Sequence, residues 1–255
     1  MLKITEKVNI VKIGSDSIND NNLTKIIDDA KKWEKETGEK FIFISSGAVK
    51  LGKDRVIESG KEKDDFSKSS LTSIGQKFLM KQYGEFLGDN ELVGEILIDD
   101  FTCEKHLSET LKNLLENDIW IIINHNDTLH PDELNNVSDK SDNDKNTVYI
   151  SKLFNNFFEK YFFIKRVIYL TNFNGLLDEK KQTVKGGKID SEESKNYYRN
   201  FVEKNKSDSG TGGMESKLDC GFEVLEYGVE ESIISNAKNG LECLRDLGKS
   251  TRFKK

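Results

Sequence analysis

The chain has 255 residues, 39 basic and 45 acidic side chains and a net charge of -6, enough to bury a substantial core but without the basic surplus that a nucleic-acid partner calls for. Its apolar runs, such as Phe41 to Ile44 and Ile119 to Ile123, fall well short of the ~20 residues that cross a bilayer. Cys103, Cys220 and Cys243 form no C-x-x-C pair and His106, His125 and His130 no H-x-x-x-H, so free thiols are expected and a zinc site of those kinds is not.

The opening Met1-Leu2-Lys3-Ile4-Thr5-Glu6-Lys7 has no apolar signal core, and a cytoplasmic protein is expected. Val8 to Ile13 is a β-rich run that breaks into Gly14-Ser15-Asp16-Ser17, which puts Lys12 at a strand end. Leu23, Ile26, Ile27, Ala30 and Trp33 recur at helical spacing, and Gly38 follows as a stop. Phe41 to Ile44 is the next strand, breaking into Ser45-Ser46-Gly47-Ala48 and completing a βαβ unit. Lys53 to Lys68 has the charge of an exposed connection.

A helix is expected from Leu71 to about Leu87, a strand at Glu95 to Ile98, and a helix on Leu107, Leu111, Leu114 and Leu115. The strand at Ile119 to Ile123 ends in Asn124-His125-Asn126-Asp127-Thr128, and His130 to Lys140, with the sole proline Pro131, is expected to be a mobile lid-like loop. Asp142-Asn143-Asp144 opens a helix marked by Tyr149, Leu153 and Phe157, with carboxylates where N-terminal caps are favoured. The strand Val167 to Leu170 ends in Thr171-Asn172-Phe173-Asn174-Gly175. Lys185 to Lys188 is expected as a hairpin tip, and Asp190 with Glu193 as the cap of a helix reaching about Lys204.

Ser209-Gly210-Thr211-Gly212-Gly213-Met214-Glu215-Ser216-Lys217 follows. Its three glycines let consecutive N–H groups turn toward one anion, in front of a helix on Leu218, Phe222, Leu225 and Val229 with Lys217 in its first turn. Glu215 and Ser216 stand where a P-loop needs Gly and Lys, and a flexible surface turn remains the alternative. Glu231 to Ser235 is expected as the last strand and Leu241 to Leu247 as the last short helix. The alternation predicts an α/β fold, a three-layer α/β/α sandwich with a mostly parallel central sheet, in a single domain over residues 1–255. A ligand then belongs at the carboxyl ends of the strands.

Seven pieces in order resemble the amino-acid kinase family, and within it the branch that phosphorylates glutamate: Val8 to Ser15, Ser45 to Val49, Ile74 to Gln76, Ile123 to Thr128, Asp142 to Asp144, Leu170 to Leu176 and Gly210 to Lys217. The resemblance implies transfer of the γ-phosphoryl of ATP, with Mg²⁺, to the side-chain carboxylate of L-glutamate, an early step of proline synthesis. That carboxylate, with a pKa near ~4.3, is already ionised at neutral pH and needs no general base.

By resemblance Lys12 and Lys217 hold the phosphates, with Asp144 between them. Gly14 and Gly47 admit the transferring phosphoryl, and Ser46, Asp127 and Asn143 bind glutamate. Thr171, Asn172 and the loop Gly210, Thr211, Gly212, Gly213, Met214 to Lys217 contact ATP. Proline as feedback inhibitor, a homo-oligomer and the lack of the C-terminal RNA-binding-type domain that many bacterial members append are further expectations. His125, Ser141, Asn172 and Leu176-Leu177-Asp178-Glu179 depart from the family pattern, where Glu, Gly, Asp and a Tyr with Asp-Pro are usual. The alternatives are a relative acting on aspartate, N-acetylglutamate or carbamate, and a member that senses nucleotide or amino acid without turnover.

Overall fold

The computed structural model describes residues 5–129, 143–158, 161–204, 212–245 and 249–255. The strands are β1 (Glu6–Ile13), β2 (Lys40–Ser45), β3 (Val93–Ile98), β4 (Trp120–His125), β5 (Phe162–Thr171), β6 (Gly186–Lys188), β7 (Glu231–Asn236) and β8 (Ser250–Lys254). The helices are α1 (Asp20–Thr37), α2 (Ala48–Glu58), α3 (Lys68–Leu87), α4 (Glu104–Glu116), α5 (Asn143–Phe157), α6 (Glu192–Lys204) and α7 (Gly212–Glu226).

The strands form one 8-stranded sheet in the order β3-β4-β2-β1-β5-β7-β8-β6. Every pairing is parallel except β7 with β8. The expected α/β architecture is what forms, because β1, β2, β4 and β5 are apolar on both faces and each face needs a helical layer. Val11 and Ile13 of β1 pack toward α1 and α3, with Leu23, Ile26, Leu79 and Tyr83. Val8 and Ile10 point the other way, to Ile150 and Leu153 of α5 and Leu218 and Phe222 of α7. From β1 the chain moves to β2, on to the edge strand β3 and back to β4 between them, then crosses to β5 on the far side of β1. The carboxyl ends of β1, β2, β4 and β5 therefore meet at a topological switch point, where α/β sheets bind ligands.

Local chemistry explains several boundaries. Asn19 caps α1 by accepting from the Asn22 amide at 3.0 Å, and Gly38 ends it in the left-handed conformation at φ 70°. β5 begins earlier than the apolar run Val167 to Leu170, at Phe162. Its two cations are matched there: Lys165 pairs with Glu39, and Arg166 with Glu39 at 2.7 Å and Glu231 at 3.3 Å.

Five expectations are corrected. Lys53 to Lys68 is not all connection, because α2 runs through Glu58. Gly186–Lys188 is not a hairpin tip but β6, paired in parallel with β8; the reversal lies ahead of it, between the bridged residues Leu177 and Thr183, where Lys181 takes φ 61°. The cap of α6 is shifted by one residue: Ser191 Oγ accepts from the Ser194 amide and Ser194 Oγ from the Ser191 amide, each at 3.2 Å. Among the described residues of Leu241 to Leu247 the expected helix is replaced by the 3-10 turn Glu242–Leu244, and β7 is followed by β8. Finally, α7 starts at Gly212, so Gly213 to Ser216 are helical rather than loop, and Lys217 is helical as expected. The segment His130 to Lys140, Ser141, Asp142, Gly210 and Thr211 lie outside the described residues.

Candidate active site

Lys12 stands at the carboxyl end of β1, on the same face of the strand as Val8 and Ile10, which directs it toward α5 and α7. There its Nζ lies 2.7 Å from Asp144 Oδ1, while Lys217 Nζ lies 3.1 Å from Asp144 Oδ2. Lys217 also donates to the Gly213 carbonyl at 2.9 Å, one turn back along α7. Asp144 is 1% exposed and Lys12 4%. An ammonium so enclosed needs a carboxylate partner, and Asp144 gains from its place in the first turn of α5, where the helix dipole favours negative charge. Taken by themselves the three groups are cationic, which suits an anion.

The hydroxyls of Thr147 and Tyr169 fix this turn. Thr147 Oγ1 donates to the Asp144 carbonyl at 2.6 Å, so the bond of 2.7 Å between Thr147 and Tyr169 has the phenol as donor. Burial, with the nearby Cys220 adding to it, pushes the Tyr169 phenol well above its usual pKa and keeps that proton in place.

Lys12 and Lys217 open into a cavity of about 380 Å³ that Gly14, Ser46, Asp127, Asn143, Thr171 and Asn172 also line. The residues read from scattered motifs thus converge. Gly14 is extended at φ -73°, and an added Cβ would meet nothing within 4 Å. Gly47 takes φ 108° and begins α2 without a side-chain cap, so Gly47, Ala48 and Val49 bring uncapped first-turn amides to the cavity wall. Opposite them, Asn143 Nδ2 donates to Ser46 Oγ and to Asn124 Oδ1, each at 3.0 Å. Thr171 Oγ1 is held by its own turn, donating to the Phe173 carbonyl and accepting from the Phe173 amide at 2.9 Å.

Not every expected residue arrives. Met214 packs half-buried against the core and does not line the cavity, and Gly212 and Gly213 are the first residues of α7. Conversely, Asn124, Ser15, Ser17 and Lys50 line it without having been singled out. Asn124 had a legible signal, a polar residue closing the run Ile121 to Ile123; besides accepting from Asn143, it donates to Gln76 Oε1 at 3.0 Å. Lys50 had none, since α2 was not foreseen.

The fold and the cavity define an α/β protein with an anion-suited cleft at its strand ends. The model of the amino acid kinase family matches residues 7–236, and the chain belongs to that family, and so to a class of phosphotransferases. Among curated relatives, a glutamate 5-kinase of Clostridium perfringens is 26% identical over 93% of this chain and 90% of its own length. A glutamate 5-kinase of Aquifex aeolicus is 30% identical over 96% of this chain, which spans 66% of that relative. Among solved structures, a carbamate kinase from Giardia lamblia bound to AMP-PNP aligns over 99% of both chains with a TM-score of 0.65 at 14% identity. UMP kinase from Ureaplasma parvum aligns over 99% of this chain and 100% of its own with a TM-score of 0.56 at 11% identity. These structural likenesses show the fold.

Proposed function

We propose that the chain transfers the γ-phosphoryl of MgATP to the side-chain carboxylate of L-glutamate, giving γ-glutamyl phosphate for proline synthesis. The observation that carries this reading is the meeting of Lys12, Asp144 and Lys217 at one cavity with Ser46, Asp127 and Asn143. Two anions must approach each other, and the acceptor is already ionised, so the chemistry asks for cations and amide donors rather than a base. Lys12 and Lys217 supply the cations, with Asp144 fixing the distance between them. Uncapped amides at Gly47 to Val49 face the space where charge develops on the phosphoryl. Asp127 offers a carboxylate to the substrate ammonium, and Thr171 and Asn172 bound the nucleotide side. Mg²⁺ arrives on the ATP phosphates as part of the substrate, held by phosphate oxygens and water. The names of the curated relatives support glutamate over other acceptors.

The test is to trap acyl phosphate with hydroxylamine in the presence of MgATP, offering glutamate, aspartate and N-acetylglutamate in parallel. Hydroxamate from glutamate is expected. Hydroxamate from aspartate alone would overturn the substrate assignment, and none from any acceptor would overturn phosphotransfer to a carboxylate.

A further inference from the structure

Asp127 does not stand alone beside the cavity. His125, two residues back at the end of β4, turns its Nδ1 to 2.8 Å from Asp127 Oδ1. Both side chains are enclosed, His125 at 4% exposure and Asp127 at 6%. A carboxylate oxygen only accepts, so the imidazole carries its proton on Nδ1, whichever charge state the ring holds. The backbone locks this geometry from two sides: the His125 amide donates to Asn124 Oδ1 at 2.9 Å, and the Asn126 amide to the Ile98 carbonyl at 2.8 Å. The same Asn124 oxygen accepts from Asn143 on the cavity wall, so the pair is tied to the residues around the acceptor end of the cleft. His125 borders a separate cavity with Tyr149 and Lys145 and does not line the first, which Asp127 does, so its link to the first cavity runs through Asp127.

The geometry points to His125 as a positioning residue for recognition of the substrate amine. By occupying Oδ1 it fixes the Asp127 rotamer and leaves the remaining acceptor positions of that carboxylate to a cation entering the cavity. This inference rests on the reading of glutamate as the acceptor. Its consequence is confined to binding the amine, because His125 lines neither the Lys12 and Lys217 side of the cavity nor the α2 amides.

The experiment measures L-glutamate binding by calorimetry and steady-state hydroxamate formation for the wild type, His125→Ala, His125→Asn and His125→Gln. An Asn side chain can place an N–H near the position of Nδ1, whereas the nitrogen of Gln reaches toward that of Nε2. His125→Ala and His125→Gln are expected to weaken glutamate binding and raise its KM about tenfold, and His125→Asn to restore both to within about twofold. Values of kcat and of KM for ATP should hold in all four proteins, and the preference for glutamate over glutarate, the same diacid without the amine, should shrink by the same factor. A side chain needed only for packing would not be rescued by Asn and would not single out the amine. Equal glutamate affinity in the wild type and His125→Ala overturns the inference and leaves phosphotransfer standing. Tighter binding by the wild type with no hydroxamate from any of the proteins keeps the inference and overturns phosphotransfer. No glutamate binding by the wild type overturns both.

Discussion

Lys12 and Lys217 reach one carboxylate from elements far apart in the chain; Lys217 alone is separated from Asp144 by 73 positions. Removing the shared charge while keeping the shape leaves a buried ammonium beside a neutral amide. Asp144→Asn is therefore expected to lower unfolding stability by about 3 kcal/mol, read from urea titration, and to abolish phosphotransfer. An unchanged urea midpoint would show that the pair is not coupled to folding. Asp144 was legible in the sequence as a helix-opening carboxylate, and the motif resemblance gave it its partners. The 2.8 Å contact of His125 with Asp127 was not, since nothing in adjacent polar letters tells which ring nitrogen turns toward which oxygen.

α2 carries Gly47 to Lys50 to the cavity, and its position depends on how closely it lies on α3. A Cβ at Gly75 would fall 1.8 Å from the Ala48 carbonyl oxygen, and one at Gly52 the same distance from that of Leu71. Gly75→Ala must push the two helices apart at the turn that presents the α2 amides. The expected result is a loss of about 1–3 kcal/mol in chemical denaturation, with a fall in activity larger than Gly84→Ala produces, where the added methyl meets nothing.

The same contact explains why α2 escaped the sequence. It buries only Ala48, Gly52 and Val56, a stripe of small residues one turn apart, and its central glycine argues against a helix until α3 is seen against it. β8 escaped for a related reason. In Ser250-Thr251-Arg252-Phe253-Lys254 one large apolar residue is buried, and the charges are absorbed by Glu231, which pairs with Arg252 and with Lys254 at 2.6 Å. The glycines of β6 spell a turn but serve a close approach: Gly186, at φ 83°, would put a Cβ 2.2 Å from the Arg252 carbonyl oxygen.

Across the whole molecule, α/β alternation was legible because it depends on local periodicity, whereas the strand order depends on pairings between distant segments and was not. The sheet is also held by charge. Glu39, just ahead of β2, accepts from Trp33 at 2.8 Å, Asn9 at 3.2 Å and Arg166 at 2.7 Å, and from Lys165. Burial alone would raise its pKa, but the hydrogen bonds from Lys165, Trp33 and Asn9 and the Arg166 charge prevail and hold it at about 2, below the usual 4.5. A depressed folded-state value stabilises the protein fully above pH 4.5, and that contribution is lost as pH falls toward about 2. Tm measured from pH 6 to pH 2 should fall more shallowly across this window in Glu39→Gln than in the wild type, from a lower starting value, the full contribution being on the order of 3 kcal/mol. Parallel curves would contradict this.

The central claim is that the Lys12, Asp144 and Lys217 trio acts on the phosphoryl group as it moves. The most direct test compares Lys217→Ala with the wild type in single-turnover phosphotransfer and in equilibrium binding of MgATP. The rate is expected to fall about a hundredfold or more while nucleotide affinity changes only a few-fold. A variant that keeps the wild-type rate once saturated with nucleotide would place Lys217 in ground-state binding alone and contradict the account.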